Sequence, residues 1–304
     1  MKEIQIDHYP FTQDAGQDRL RVCLNLEMGK LIADPLFDGL GRRNITQSYS
    51  SYLNHVIDLF GQEEQMRAEG RENANLFYHS KPHTVYQTGY DAIQVAKALL
   101  SRKDDLSKHL SREGILAIVL GALFHDTGYV YRASDDENFA ARTPIHVRES
   151  IKAMVEAIDA LGLPGGIDAE RVKKMAALGI HATNFPYEEK YEIEAGEALD
   201  RMEPSLRKEA RIVRLSVRFA DFGGQVARVD QFPAGLKNLR REMNAACESH
   251  GTQVVGEDEE LKEKGQQFVD NVVKKAVGKV GNAFFGPNNS YSKEWDIKDK
   301  GINN

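Results

Sequence analysis

An all-α fold is what this sequence predicts, and three observations carry the prediction. Apolar residues recur at the three-and-four spacing of amphipathic helices along most of the chain. Period-2 segments are few, and no hairpin signal joins them. Pro and Gly divide the chain into pieces of ordinary helical length with short connections.

Residues 1–20 hold Pro10, Gly16 and scattered charge, and read as an irregular lead-in. Helical spacing follows over 21–69: Leu24, Leu26, Met28, Leu31 and Ile32, then Tyr52, Leu53, Val56, Ile57 and Phe60. Pro35, Gly39 and Gly41 separate the two stretches. Residues 73–82 form a polar joint around Leu76, Phe77 and Tyr78, and the next helix spans about Thr84 to Leu100. Ser111 is placed to cap a helix carrying Ile115, Leu116, Ile118, Val119, Leu120 and Leu123. A polar loop with Asp135, Asp136 and Glu137 precedes an amphipathic helix over 146–161, stopped by Gly162 and Pro164. Asp168 caps a helix reaching about Ala182, a short helix covers 190–202, and Ser205 is placed to cap one extending to Gly223. The remainder, 236–304, is charged and ends in a Gly/Asn/Lys-rich stretch expected to fray. Within it Lys274, Lys275 and Lys279 lie near Phe284 and Phe285. A helix docked on the bundle with a solvated Lys face explains them more simply than a membrane or partner contact.

Composition narrows the function classes. A chain of 304 residues with 41% hydrophobic and 28% charged residues can bury a sizeable core and is not a disordered composition. The formal net charge of −6 argues against a surface for duplex nucleic acid. The most apolar run, residues 115–124, is about half the ~20 residues of a membrane span, so no span is expected. The first residues carry acids and lack the apolar core of a secretion signal. Two cysteines give no disulfide framework. The expected location is the cytoplasm.

The nine histidines are the informative feature. In chain order the candidate donors are His83, the pair His125-Asp126, His146, His181 and Asp221, each on or at the end of an expected helix. Imidazole and carboxylate together suit Fe, Mn, Zn and similar divalent ions. A helical bundle can project such groups into one interior cluster. A lone His-Asp dipeptide is a weak signal, and it could simply cap a helix end. Here it closes the apolar run 117–124, where a charge is costly unless paired or metal-bound. Each remaining donor has a plain alternative. His146 could pair with Glu149 at a helix start, His181 could interact with a helix dipole, and Asp221 could pair with Arg218. The apolar flanks Val217, Phe219, Ala220 and Phe222 favour a buried Asp221.

Order and neighbourhood together bring a family into view. The blocks YHSKPHTVYQTGYDA (78–92), ALFHDTGY (122–129), HVRES (146–150), GIHAT (179–183) and RFADFGG (218–224) resemble the HD superfamily of metal-dependent phosphohydrolases. The resemblance covers about residues 76–225. It implies an HD-domain-like helical bundle over 71–230, with a helical extension at 1–70 and another, with a frayed tail, at 231–304. The YHxxxH text resembles the first block of cyclic-nucleotide phosphodiesterases, which would make His83 a ligand and His79 the proton donor. The added His146 and His181 resemble members with two adjacent metals, in which all six groups bind and the Asp of the pair, here Asp126, bridges the ions. Lys81, Arg148 and Thr183 lie near these ligands and are candidates for phosphate contact. Gly128-Tyr129 is followed by Val130 rather than Pro, so the cyclic-di-GMP type of signature is incomplete. Gln225 lies too close to Asp221 to match a purine-selecting Gln.

The resemblance implies hydrolysis of a phosphoester by a metal-bound hydroxide; these two departures mean that it carries over no nucleotide substrate, and nucleotides and cyclic nucleotides are the first class to try. Two ions about 3.5–4 Å apart can lower the pKa of a shared water to near neutrality and stabilise phosphoryl oxygens. His79, ordinarily titrating near 6.5, would protonate the leaving alkoxide. Two other classes stand beside it: a di-iron oxygenase, which has the same six-ligand order, and a nucleotide-sensing module without turnover, a kind that often loses ligands. The expected partners are a small phosphorylated substrate and divalent metal ions, two per chain, among Fe, Mn, Zn or Mg. A homo-oligomer is left open.

Overall fold

The computed structural model describes residues 16–69, 78–101, 107–130, 145–184, 189–223, 238, 241 and 242. All fall in the first of two compact units, Met1–Val255; the second is Gly256–Asn304. The acidic loop at 135–137 and the lysines at 274–279 lie outside the described residues.

Eight α-helices are described, and no strand occurs among the described residues. Helix α1 (Gln17–Leu31) buries Leu20, Leu24, Met28 and Leu31, a three-and-four series on one face. A 3₁₀ turn, Pro35–Phe37, separates it from α2; Asp34 caps that turn by accepting the Leu36 N–H at 2.9 Å. Helix α2 (Arg42–Ala68) buries Tyr49, Tyr52, Leu53, Val56 and Phe60. The expected helix from Thr84 begins instead as a π turn, Pro82–Thr88, which runs into α3 (Gly89–Ser101).

Helix α4 (Arg112–Phe124) forms the centre. Ser111 caps it as expected, its Oγ accepting the Gly114 N–H at 3.2 Å. Every residue from Gly114 to Phe124 is buried, because α3, α5, α6 and α8 surround it. Helix α5 (His146–Leu161) ends where Gly162 adopts φ 71°, a conformation suited to glycine. Asp168 caps α6 (Ala169–His181) through the Arg171 N–H at 3.1 Å. Helix α7 (Glu189–Asp200) precedes α8 (Pro204–Arg218). Ser205 does not cap α8: the helix starts one residue earlier, at Pro204, whose fixed φ suits a first helical position. A second π turn, Phe219–Gly223, continues α8 to the expected end.

Two glycines bring α4, α6 and α8 together. A Cβ on Gly179 would sit 2.6 Å from Val217 Cγ2, and one on Gly121 would sit 3.1 Å from the same atom. This crossing lies within about one helical turn of His125 just after α4, His181 on α6 and Asp221 after α8. Close packing here therefore sets where those side chains emerge. Helices α1 and α2 pack against α3, α4 and α5 around this centre. Among the described residues no helix is long and apolar enough to cross a membrane.

Candidate metal centre

The two π turns each carry a donor, His83 in the first and Asp221 in the second. Such turns recur at functional sites. His125 follows the last residue of α4, with Asp126 beside it. All four side chains are buried. His83 Nε2 lies 3.4 Å from Asp126 Oδ2 and 3.3 Å from Asp221 Oδ1. His125 Nε2 lies 3.0 Å from Asp126 Oδ2 and 3.4 Å from Asp221 Oδ1. One ligand atom each from His83, His125 and Asp221 fits within 4.8 Å of the others, so this group could hold a metal ion.

The surrounding bonds aim the donors. His125 Nδ1 donates to the Ala122 carbonyl at 2.7 Å, which leaves Nε2 facing both carboxylates, as the lone-pair nitrogen whenever the ring is neutral. That buried Nε2 makes no hydrogen bond of good geometry. Thr84 Oγ1 donates to Asp126 Oδ2 at 3.2 Å. The turn that follows the His-Asp pair is clamped to α5. Ser150 Oγ donates to the His125 carbonyl at 2.7 Å and accepts the Gly128 N–H at 2.8 Å, while Thr127 Oγ1 donates to the Phe124 carbonyl at 2.8 Å. Gly128 has to be glycine: a Cβ there would lie 2.0 Å from the His146 carbonyl oxygen.

Electrostatics fit a cation. Burial opposes charge on every member, but the opposite charges win. Asp126 and Asp221 outweigh burial and raise His83 to about 9; they raise His125 well above its ordinary value. His125 in turn holds both carboxyls below the usual carboxylate range against the cost of burial. Without a metal, protons balance the two carboxylates. A dication bound by neutral imidazoles would replace those protons.

His79 stands beside this group with a partner of its own. Its Nδ1 lies 2.5 Å from Glu242 Oε1. Glu242 Oε2 accepts the backbone N–H groups of Tyr78 (2.9 Å) and His79 (3.2 Å). Burial lowers the His79 pKa, but Glu242 and Asp126 more than offset it, and the net shift is upward. The His79 ring stacks on Tyr129, and Tyr129 stacks on His146. Tyr78 stacks on His83, with ring centroids 4.7 Å apart.

The other sequence candidates sit differently. His146 is buried at the start of α5, and His181 closes α6; neither belongs to the tight group of three. Burial, reinforced by Arg214 and opposed by Glu194, lowers the His181 pKa. Lys81 is buried with its Nζ 2.8 Å from Glu64 Oε2. Arg148 is exposed and its Nε lies 3.3 Å from Glu149 Oε1, taking up the carboxylate that the sequence offered to His146. The buried Thr183 hydroxyl donates to the Ile180 carbonyl at 2.9 Å. Glu242 is the residue that sequence reading missed. It lies 163 positions from His79 in a segment without a motif, and only the need of a half-buried His for a partner pointed to it.

No protein-family model, curated protein or solved structure matches the chain.

Proposed function

We propose that the chain is a metal-dependent phosphohydrolase of the HD type. It cleaves a phosphoester of a small substrate, in the class of nucleotides and cyclic nucleotides. The reading is carried by one juxtaposition: a buried His/Asp donor group with a separate, carboxylate-held histidine next to it. His83, His125, Asp126 and Asp221 hold the first divalent ion, and His146 and His181 complete a second position. Bound ions of this kind activate water and neutralise phosphoryl charge. His79 keeps its Nδ1 proton on Glu242, so Nε2 carries the proton given to the leaving oxygen. A departing alkoxide needs that proton, which favours hydrolysis over the oxygenase alternative.

The test begins with elemental analysis of protein purified without added metal or chelator, beside His146→Ala. About two ions per chain, falling in the variant, are expected. Hydrolysis of the phosphoester bond is then followed on a nucleotide panel. His79→Ala is expected to keep its metal and lose about 10²–10⁴-fold in rate. Iron with substrate-linked oxygen consumption would replace the hydrolase with the oxygenase. A His79→Ala protein with wild-type turnover would remove the acid.

A further inference from the structure

We propose that Tyr129 is a positioning residue whose ring orders His79 and His146 together. The inference rests on the hydrolase reading, in which these two histidines are the acid and an outer ligand. Both faces of the ring meet imidazoles. The His79 centroid is 3.9 Å away at an interplanar angle of 15°, and the His146 centroid is 4.3 Å away at 20°. A buried aromatic ring ordinarily packs on apolar groups; one with an imidazole against each face is a spacer between them.

The ring's own backbone is fixed. Tyr129 ends the 3₁₀ turn Thr127–Tyr129, which Ser150 ties to α5 through the Gly128 N–H. Gly128 lets that turn press against the His146 carbonyl. The start of α5 and the Tyr129 ring are therefore set by the same contact. At the other face, His79 is held in its plane by Glu242 Oε1, and its tilt is set by Tyr129. The Tyr78 ring forms a T-shaped pair with His79, 4.9 Å away at 85°. The ring turns about its Cβ–Cγ bond, and a single hydrogen bond at Nδ1 restrains that turn only in part. A stacked neighbour removes the rotation, and proton transfer from Nε2 depends on that direction.

The test compares Tyr129→Phe, which keeps the ring, with Tyr129→Leu, which does not, using the metal-loaded full chain. Two substrates separate orientation of the acid from general damage: a 3′,5′-cyclic nucleotide, with an alkoxide leaving group, and bis(p-nitrophenyl) phosphate, whose leaving group needs little protonation. Leu is expected to lower kcat on the cyclic nucleotide about 10–100-fold with KM little changed, to affect the activated ester far less, and to be rescued by Phe. Nitrogen-15 histidine NMR gives a reading independent of turnover. The hydrogen-bonded Nδ1 proton of His79, assigned with His79→Gln, should be sharp in the wild type and the Phe variant and lost or broadened in the Leu variant. A Leu variant with the wild-type His79 signal overturns the proposal. So does an equal loss on both esters. If the wild type cleaves neither ester, the hydrolase reading fails on these substrates and the NMR comparison alone decides the role of Tyr129. Should Leu not fold, as judged by circular dichroism, Tyr129→Met replaces it, because a flexible side chain can fill the slot without a flat face.

Discussion

Two kinds of buried carboxylate stand in contrast among the described residues. Glu209 on α8 and Glu27 on α1 are closed by groups that stay charged. Glu209 accepts the Ser111 N–H and hydroxyl, both at 2.6 Å, and pairs with Arg171. Glu27 takes Lys30 at 2.6 Å, Lys97 at 2.8 Å and Gln94 at 3.1 Å. Asp126 and Asp221 instead face His83 and His125. The difference lies in what the partner can give up. A guanidinium or ammonium keeps its protons near neutrality, so the first kind fastens helices together. An imidazole can release its proton and present a lone pair, so the second kind can exchange protons for a metal.

Substitution should separate the two kinds cleanly. His125→Ala removes a donor and leaves both carboxylates short of a partner. Elemental analysis should find the metal lost, with activity down by more than about 10³-fold. Retention of metal at the wild-type level would mean that His125 is a core residue. Glu209→Ala should act in reverse. It leaves the part-exposed Arg171 without its carboxylate and the Ser111 donors at the α4 cap without their acceptor, a loss of about 1–3 kcal/mol. Urea unfolding should show that loss, with metal content per folded chain unchanged. A fall in metal content at constant stability would erase the distinction between the regions.

The fold was more legible in the sequence than the site, for physical reasons. Caps and stops act through neighbouring residues, so Ser111, Asp168 and Gly162 mark helix ends in sequence as they do in structure. Ser205 misled because Pro204, one residue earlier, sets the helical φ by itself. The π turns escaped because periodicity does not separate them from an α-helix over so few residues. The convergence of His83, His125, Asp126 and Asp221 was legible as an order of donors along the chain. Glu242 was not, because its contact with His79 depends on tertiary placement alone. The Thr183 hydroxyl donates to a helix carbonyl and the Lys81 ammonium meets Glu64, partners that tertiary and local geometry supply and spacing alone does not reveal.

The smallest expected effect sharpens the comparison from the fastening side. Burial raises the Glu27 pKa, but Lys30, Lys97 and Gln94 outweigh it and bring the group from 4.5 to about 2 in the folded protein. A carboxyl whose folded pKa lies below its unfolded value stabilises the fold above the unfolded value. That contribution is lost as pH falls from about 4.5 toward 2. A shift of this size would correspond to about 3 kcal/mol at roughly 1.4 kcal/mol per unit. Lys30 is 65% exposed and Lys97 31%, so solvent screening reduces it to about 1–2 kcal/mol. The measurement is the urea stability of wild type against Glu27→Gln at pH 6 and at pH 2.5. The gap should be about 1–2 kcal/mol at the higher pH and shrink at the lower one, and added salt should narrow it at pH 6. A gap independent of pH would mean that Glu27 acts through packing and neutral hydrogen bonds. Fixed cations would then not be what closes this carboxylate.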